Sequence, residues 1–274
     1  MIIIRAPYPD IVTGGGTTRR KTMNDMPGII GYHTAADPST FIIDGSSNLD
    51  TWNAKYGTTQ LTQATASRRL SYSSSNTNIG NKPGFYFNDN TRRMDFTNSS
   101  IFPTGSGAST ILLLYRAMVN QGNVCLLTWG SSTGSWRIFG YGNSGPNTWA
   151  ALANVGDHST TVSPINATII EIHTVTAGTN PVSTHYANGA ATGNTKSFSG
   201  SLVTGNATAT LGYTPYLGLS SPGVVLEAIF VSNQAYSSSQ AQELAAIAAW
   251  DHGEQGLLAS DNPFLGSFPT TTNS

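Results

Sequence analysis

The stretch that decides the fold is Val224–Phe264, which reads VVLEAIFVSNQAYSSSQAQELAAIAAWDHGEQGLLASDNPF. Its first part, Val224–Val231, is apolar apart from one glutamate and rich in β-branched residues, which is typical of a buried strand. Ser237 and Gln240 have the spacing of a capping box, and Gln240–Trp250 follows as the one convincing helix. The stretch therefore predicts a core strand followed by a short helix, in a chain whose other segments favour strands.

Upstream of this stretch, short apolar runs alternate with turns rich in glycine and asparagine. Asn188–Gly189 lies between two such runs and is a strong hairpin signal. Thr168–Thr176 alternates with the period of a strand, which places Glu171 and His173 on the same face. Many short strands with regular turn signals predict one antiparallel two-sheet sandwich rather than a parallel α/β fold.

Several short motifs, in this order, resemble the laminin-G-like (concanavalin A-like) jelly-roll domains, in the form found in phage virion structural proteins. The motifs are Gln63–Arg69 (QATASRR), Gly84–Asn90 (GFYFNDN), His185–Gly189 (HYANG) and the closing Asn262–Pro263–Phe264. The resemblance extends over residues 40–264. It implies an all-β jelly-roll sandwich that carries one short C-terminal helix.

Residues 1–39 fall outside this resemblance and are not typical of a compact domain. They contain an apolar run (Met1, Ile2, Ile3 and Ile4), two prolines, a glycine triplet and a basic triplet (Arg19, Arg20 and Lys21). We therefore predict an extended N-terminal arm over 1–39, which docks in an assembly, and a sandwich domain with its helix and tail over 40–274. The apolar run could add a strand to a neighbouring subunit. The basic triplet either contacts an acidic partner surface or forms a solvated turn.

The composition limits the classes of partner. Charged residues make up 10% of the chain and the net charge is −1, so no strong field directs it to nucleic acid or to anionic lipid. The single cysteine, Cys125, excludes a disulfide framework and a zinc cluster, and its apolar surroundings predict a small buried side chain. No secretion signal is evident and no apolar run approaches the ~20 residues that span a bilayer. We expect synthesis in a host cytoplasm and a final location in the virion.

The chain lacks the acidic strand of glycan-cleaving jelly rolls, in which two carboxylates on one strand face act as nucleophile and acid. The glutamates are Glu171, Glu227, Glu243 and Glu254. None of them has a second acid two residues away on a strand, so a polysaccharide-degrading enzyme is disfavoured. Glu171 and His173 could form an acid–base pair that His185 joins, but we favour a polar pair on an exposed sheet face.

Two kinds of binding residue remain. The resemblance implies one Ca²⁺ at a sheet rim, for which Asp89 and Asp157 are the candidates; the alternative is that each aspartate stabilises a turn. No other cofactor is predicted. Aromatic faces that could stack on a sugar cluster in a stretch rich in glycine and asparagine, and the alternative is that they pack in the sandwich. These aromatic residues are Trp129, Trp136, Tyr141 and Trp149.

The resulting hypothesis is a non-enzymatic phage virion structural protein of the tail, a fibre, the baseplate or the capsid surface. Its partners would be other virion proteins or copies of itself, held through the arm. The alternative is a carbohydrate-binding module for host attachment, with a host surface glycan as its partner. These functions rest on the resemblance, because a fold alone does not fix a function.

Overall fold

The computed structural model describes residues 11–13, 16–120, 123–131, 135–142, 147–152, 155–205, 208–215 and 217–272. Within these residues the chain forms short strands, one α-helix, α1 (Ser238–His252), and several single turns of 3-10 helix. The 3-10 turns are Met23–Asp25, Pro38–Thr40, Ala66–Arg68, Thr77–Ile79, Ser99–Ile101 and Gln255–Leu257.

The strands follow one another with short connections along the whole described chain. They are β1 (Ile11–Thr13), β2 (Gly16–Arg20), β3 (Ile29–Thr34), β4 (Phe41–Ile43), β5 (Leu49–Asn53), β6 (Tyr56–Gly57), β7 (Gln60–Thr62), β8 (Ser71–Asn76), β9 (Lys82–Phe87), β10 (Met94–Phe96), β11 (Ser109–Ala117), β12 (Val124–Ser131), β13 (Ser135–Tyr141), β14 (Thr148–Leu152), β15 (Gly156–Ser159), β16 (Thr168–Val175), β17 (Val182–Ala187), β18 (Asn194–Ser197), β19 (Thr208–Leu211), β20 (Tyr213–Thr214), β21 (Leu219–Ser220), β22 (Val224–Ser232) and β23 (Thr270–Thr272).

Two nine-stranded sheets form the body of the molecule. The front sheet has the order β15-β14-β13-β12-β19-β10-β7-β5-β4. The back sheet has the order β18-β17-β16-β11-β22-β3-β6, and β9 joins it beside β22 with β8 on its other side. All of these pairs are antiparallel. The predicted all-β, two-sheet antiparallel sandwich with one C-terminal helix is confirmed.

Strand β11 lies at the centre of the back sheet and is buried on both faces. Ile111, Leu113 and Tyr115 point into the interior between the two sheets, where they join the main apolar core. Leu112 and Leu114 point the other way and pack with the residues of α1. A strand that is covered on both faces has apolar residues at almost every position, which is why the sequence of β11, STILLLYRA, shows little alternation.

The strand and the helix predicted within Val224–Phe264 are both present. The strand predicted over Val224–Val231 is β22, all of whose residues are buried. Ser237 caps α1 in a capping box, in which its amide donates to Gln240 Oε1 at 3.0 Å. Gly253 ends the helix in the left-handed conformation, with φ of 68°. Within the described chain, α1 is not long and apolar enough to cross a membrane.

Two of the motifs that carry the resemblance meet beside α1. Asn262, which is buried, donates from Nδ2 to the carbonyl of Gly189 at 2.9 Å and to that of Gln242 at 3.2 Å. Gly189 has a φ of +65°, and a Cβ there would lie 2.5 Å from Asn262 Nδ2. The hydrogen bonds of Asn262 therefore link α1 to the β17–β18 turn. Because the Asn262 side chain approaches this turn so closely, position 189 requires a glycine.

Strand β3 corrects the predicted domain boundary between residues 39 and 40. β3 pairs with β22 from Thr34↔Ala228 onward and lies inside the back sheet. The half of β22 beyond Glu227 needs a partner strand, and β3 is that partner. Because Pro27–Gly28 directly precedes β3 and is typical of a turn, the sequence suggested an irregular arm at this point. Met1–Ile4 lies outside the described residues, so its docking on a neighbour stays a prediction.

The basic triplet has acidic partners within its own chain. Arg19 Nη1 donates to Asp25 Oδ2 at 2.8 Å, Arg20 Nη2 lies 3.6 Å from Asp251 Oδ1, and Lys21 Nζ lies 2.6 Å from Glu243 Oε1. Two of these three contacts join the start of the chain to α1. The predicted contact of the triplet with another subunit would have to compete with these ion pairs.

Candidate functional site

The structure places Trp129 and Tyr141 in the core rather than on a binding surface. Their exposed fractions are 1% and 0%. Trp129 stacks on Phe139 with ring centroids 5.4 Å apart, and its indole nitrogen donates to the carbonyl of Pro103 at 3.0 Å. The interior between two large sheets needs bulky side chains, so the packing alternative holds for both residues.

Trp136 and Trp149 lie on the outer face of the front sheet. Together with Cys125 and Ile138 they form a small apolar cluster, against which Leu219 of β21 packs. Trp149 is 2% exposed, so its faces are covered, whereas Trp136 is only partly buried. Of the four aromatic residues predicted to hold a sugar, Trp136 alone has an accessible face. Cys125 is buried, as predicted, and burial raises the pKa of its thiol.

One of the two predicted calcium ligands, Asp89, stabilises a local turn through its side chain. Asp89 accepts from the amide and hydroxyl of Thr91 at 2.8 and 2.6 Å, and from Arg92 Nε at 3.0 Å. Although burial opposes its ionisation, these hydrogen bonds hold the pKa of Asp89 below its usual value. Among the described residues, neither Asp89 nor Asp157 belongs to a group of three or more metal-ligating side chains. The turn alternative therefore describes Asp89.

A polar cluster lies in the interior between the sheets, at the edge formed by β16 and β17. Glu171 Oε1 lies 2.5 Å from His173 Nε2 and 3.9 Å from His185 Nε2. Glu171 Oε2 accepts from the hydroxyl of Tyr115 at 2.6 Å. The strand period places Glu171 and His173 on one face, and His185 lies opposite His173 in the β16–β17 register.

The front sheet contributes hydroxyl groups and one more imidazole to this cluster. Thr148 Oγ1 lies 3.1 Å from His185 Nε2 and 2.7 Å from Thr160 Oγ1. His158 Nδ1 contacts Ser183 Oγ at 3.0 Å across the interior. The polar cluster therefore joins the two sheets where the apolar core gives way to smaller side chains.

Burial drives the members of this cluster toward their neutral forms. It raises the pKa of Glu171 to about 7, although His185 and the Tyr115 hydroxyl act in the opposite direction. It lowers the pKa of both His173 and His185 to about 3. At neutral pH the contact between Glu171 and His173 is therefore a hydrogen bond rather than a full ion pair.

The sequence placed Glu171 and His173 on the correct shared face but assigned that face to solvent, which is wrong. Glu171, His173 and His185 are 0%, 1% and 2% exposed. The front sheet covers one side of β16 and α1 covers the other, so both faces are buried. An acid–base pair sealed in this way cannot reach the scissile bond of a polymer substrate.

The second strand glutamate, Glu227, is also buried but points to the opposite side of the back sheet. Its Oε2 lies 3.6 Å from Nδ1 of His252 on α1. His252 Nε2 lies 3.0 Å from Thr34 Oγ1. Glu171 and Glu227 therefore cannot act together across one bond, as the two carboxylates of a glycoside hydrolase do.

A shallow depression on the surface of the described chain brings several polar side chains together. Its volume is about 200 Å³, and it is lined by Arg68, Asn90, Thr91, Arg93 and Tyr213. Arg68 ends a 3-10 turn, Asn90 and Thr91 belong to the β9–β10 connection, and Tyr213 begins β20. The amide of Arg93 donates to the carbonyl of Arg68 at 2.9 Å, which joins the backbones of the two segments.

The depression carries a net positive charge. The guanidinium of Arg93 lies over the ring of Tyr213, 4.9 Å from its centroid. Arg93 Nε is buried and has no hydrogen-bond partner among the described residues. Asp95 interacts electrostatically with both Arg93 and Arg68, but burial dominates and raises its pKa. Two guanidinium groups thus lie near one carboxyl, and this excess of positive charge suits an anionic ligand.

No family model and no curated protein sequence matches this chain. Solved structures do match it. The binding domain of Paraclostridial Mosquitocidal Protein 1 is 13% identical with a TM-score of 0.56, over 82% of this chain and 53% of that one. The receptor-binding domain of botulinum neurotoxin type G is 11% identical with a TM-score of 0.52, over 81% of this chain and 51% of that one.

A third similar structure is a Trypanosoma rangeli sialidase in complex with 2,3-difluorosialic acid. It is 13% identical with a TM-score of 0.54, over 83% of this chain and 34% of that one. The chain thus spans about a third to a half of the length of these three proteins. At this identity the similarity establishes the fold, a β-sandwich, and leaves the function to be argued from the residues.

Sequence reasoning missed the depression because its residues come from separate segments. Arg68 and Arg93 are close in the chain, but Tyr213 lies more than a hundred residues further on. Arg68 belongs to the motif Gln63–Arg69, which indicated the fold but gave no sign that Arg68 binds a ligand. The sequence signal was limited to two arginine pairs, in Ser67–Arg69 and in Thr91–Arg93, each of which places two cations next to a loop.

Proposed function

We propose that this chain is a non-catalytic binding module that holds an acidic saccharide in the depression lined by Arg68, Asn90, Thr91, Arg93 and Tyr213. The observation that carries the proposal is the pair of arginines, Arg68 and Arg93, that line the same surface depression. A guanidinium fork binds a carboxylate or sulfate through two parallel hydrogen bonds. Asn90 and the aromatic Tyr213 supply the amide and the ring face that sugar hydroxyl and C–H groups require.

Two further observations support binding rather than catalysis. The buried glutamates of the described strands, Glu171 and Glu227, lie on opposite sides of the back sheet and out of contact with solvent. Two of the similar structures are themselves binding domains: the binding domain of Paraclostridial Mosquitocidal Protein 1 and the receptor-binding domain of botulinum neurotoxin type G. The chain's net charge of −1 argues against nucleic acid as the anionic ligand, because nucleic-acid surfaces are usually strongly basic.

The test is a glycan array that includes sialylated, uronate-containing, sulfated and neutral oligosaccharides. We expect binding to be confined to acidic glycans and to weaken by about 10–100-fold in Arg93→Ala, because a lost charge-assisted hydrogen bond is worth about 1.5–3 kcal/mol. Arg68→Ala is expected to act in the same direction.

Lys196→Ala is the matched control, since it removes one exposed cation from β18, a strand that does not line the depression. It is expected to leave binding unchanged. Equal binding of neutral and acidic glycans, or equal losses in Arg93→Ala and Lys196→Ala, would contradict the proposal.

The finer proposal places this module on a phage virion, after assembly in the host cytoplasm. It is supported by the order of the motifs that resemble phage laminin-G-like domains. It is also supported by β1, which in the described chain pairs on one side only, with β2, and so offers an edge for another strand. The partners would be other virion proteins or further copies of this chain.

The arm proposal predicts the outcome of a truncation. Removing residues 1–15 leaves β3 and the ion pairs of Arg19, Arg20 and Lys21 in place, so the thermal midpoint should change little. Self-association, measured by analytical ultracentrifugation, or incorporation into particles should be lost. A truncated chain that assembles like the full chain would refute the role of this segment.

A further inference from the structure

The interior cluster of β16 and β17 has the composition of a transition-metal site. Glu171, His173 and His185 each offer one ligand atom, and these atoms lie within 4.8 Å of one another. Two imidazoles and one carboxylate are ligands that zinc prefers, whereas Ca²⁺ and Mg²⁺ take oxygen ligands. The single cysteine excludes a zinc cluster built from several thiolates. It does not exclude a zinc site built from these three residues, because none of them is a cysteine.

The spacing of the three donors is close to what a tetrahedral ion needs. Zinc bonds of about 2.0–2.1 Å place neighbouring ligands about 3.3 Å apart. Glu171 Oε1 lies 2.5 Å from His173 Nε2 and 3.9 Å from His185 Nε2, so the observed distances lie on either side of that value. An ion would require the first distance to lengthen and the second to shorten, each by less than about 1 Å. The two imidazole rings have centroids 4.7 Å apart.

The surroundings hold these donors in place. The hydroxyl of Tyr115 donates to the other carboxylate oxygen, Oε2, at 2.6 Å, which fixes the plane of Glu171. Thr148 Oγ1 lies 3.1 Å from His185 Nε2, on the front-sheet side, where a fourth ligand would complete a tetrahedron. Partners of this kind, which orient the ligands from outside, are typical of protein metal sites.

The cluster is also incomplete as a hydrogen-bonded network. His173 Nδ1 and His158 Nε2 are buried and have no hydrogen-bond partner among the described residues. Buried polar atoms in folded proteins nearly always have a partner, and exceptions point to a water or an ion. These two nitrogens are not the proposed ligand atoms, because His173 would bind through Nε2 and its Nδ1 lies on the other side of the ring; the donor set and its spacing carry the proposal.

We propose that Glu171, His173 and His185 bind one zinc ion between the two sheets, with Thr148 or a water as the fourth ligand. The ion would tie β16 to β17 and face the threonines of the front sheet. Because three protein ligands and a closed interior leave no path for a substrate, the ion is structural. This proposal does not depend on the surface depression.

The test uses the full chain, produced once with added zinc and once in zinc-depleted medium. We expect about one zinc ion per chain by elemental analysis and a higher thermal midpoint for the zinc-loaded protein. Cobalt in place of zinc should give the strong visible bands of a tetrahedral site. Glu171→Gln keeps the shape of the side chain and can still accept from Tyr115, and it should lower the zinc content to less than about a tenth of an ion.

His185→Gln is a second variant with the same expected loss. His33→Gln is the control, since His33 is equally buried but contacts Thr59 rather than the cluster; it should keep the zinc. The proposal is overturned if the zinc-grown wild-type chain contains no zinc and cobalt gives no tetrahedral spectrum. It is also overturned if Glu171→Gln and His185→Gln retain the same zinc as the wild type, since the metal would then lie elsewhere.

Discussion

Replacing Trp129 with alanine is expected to lower the free energy of unfolding by about 3–5 kcal/mol. The side chain is 1% exposed and packs between Phe102 and Phe139, and Arg137 lies over its ring. The substitution leaves a cavity in the inter-sheet core and removes the hydrogen bond to the carbonyl of Pro103. Urea unfolding followed by circular dichroism measures the loss.

Trp136→Ala is the matched control, because it deletes the same side chain from the outer face of the front sheet, where Trp136 is only partly buried. We expect it to cost less than half as much. The two variants separate the core from the sugar-binding interpretation of the aromatic residues. A stable Trp129→Ala protein that had lost glycan binding would contradict the placement of Trp129 in the core.

Acidification from pH 6.5 to pH 4.5 is expected to lower the free energy of unfolding by several kcal/mol in the metal-free chain. His33, His173 and His185 are buried, and burial lowers the pKa of each to about 3. Once unfolded, each would bind a proton below its usual pKa of about 6.5. The stability they contribute is therefore complete above pH 6.5 and is lost as the pH falls toward 3.

Glu171 has the opposite effect on how the free energy of unfolding depends on pH. Burial raises its pKa to about 7, so its contribution is complete below pH 4.5 and is lost as the pH rises through 7. Between pH 4.5 and 6.5 the unfolded chain takes up three protons at the histidines, and the folded chain holds one more at Glu171. For these four groups the net difference is two protons, which corresponds to about 3 kcal/mol per pH unit.

His33→Gln tests this balance away from the polar cluster. His33 packs against the rings of Trp52 and Phe96, and its Nε2 lies 2.8 Å from Thr59 Oγ1. Removing its titration should reduce the slope of unfolding free energy against pH by about one proton, or about 1 kcal/mol per pH unit. A slope that stays unchanged in His33→Gln, or a wild-type stability that is flat over this range, would show that these imidazoles are not buried in neutral form.

Periodicity predicted which residues share a strand face but not what covers that face. Glu171 and His173 were correctly placed together on β16, yet the alternation is the same whether a face meets water or another sheet. The covering elements, the front sheet and α1, come from distant parts of the chain. Burial of this acid–base pair was therefore beyond local sequence reasoning.

Local signals were decisive where the structure is itself local. The capping box of Ser237 and Gln240 and the turn at Asn188–Gly189 depend on residues within a few positions of one another, and both are present. Strand β3 was missed because Pro27–Gly28 and the glycine triplet suggested an irregular arm. Its place in the sheet is set by β22, about two hundred residues away, which no local pattern reveals.

The depression could not be predicted for the same reason. Arg68 and Arg93 are held together by a backbone hydrogen bond between two loops, and Tyr213 arrives from a third segment. By contrast, the aromatic residues that looked suited to sugar binding were large side chains required by a wide interior. Trp129 and Tyr141 illustrate how a residue type that suits a ligand suits a core equally well.

The most direct test of the account is a nuclear magnetic resonance titration of the isotopically labelled chain with an acidic oligosaccharide selected on the array. We predict that the signals of Arg68, Asn90, Arg93 and Tyr213 shift with saturable dependence on ligand. The ring signals of His173 and His185, sealed between the sheets, should stay where they are. Shifts centred on those two histidines, with the arginines of the depression unaffected, would contradict a module that binds through its surface and performs no chemistry in its interior.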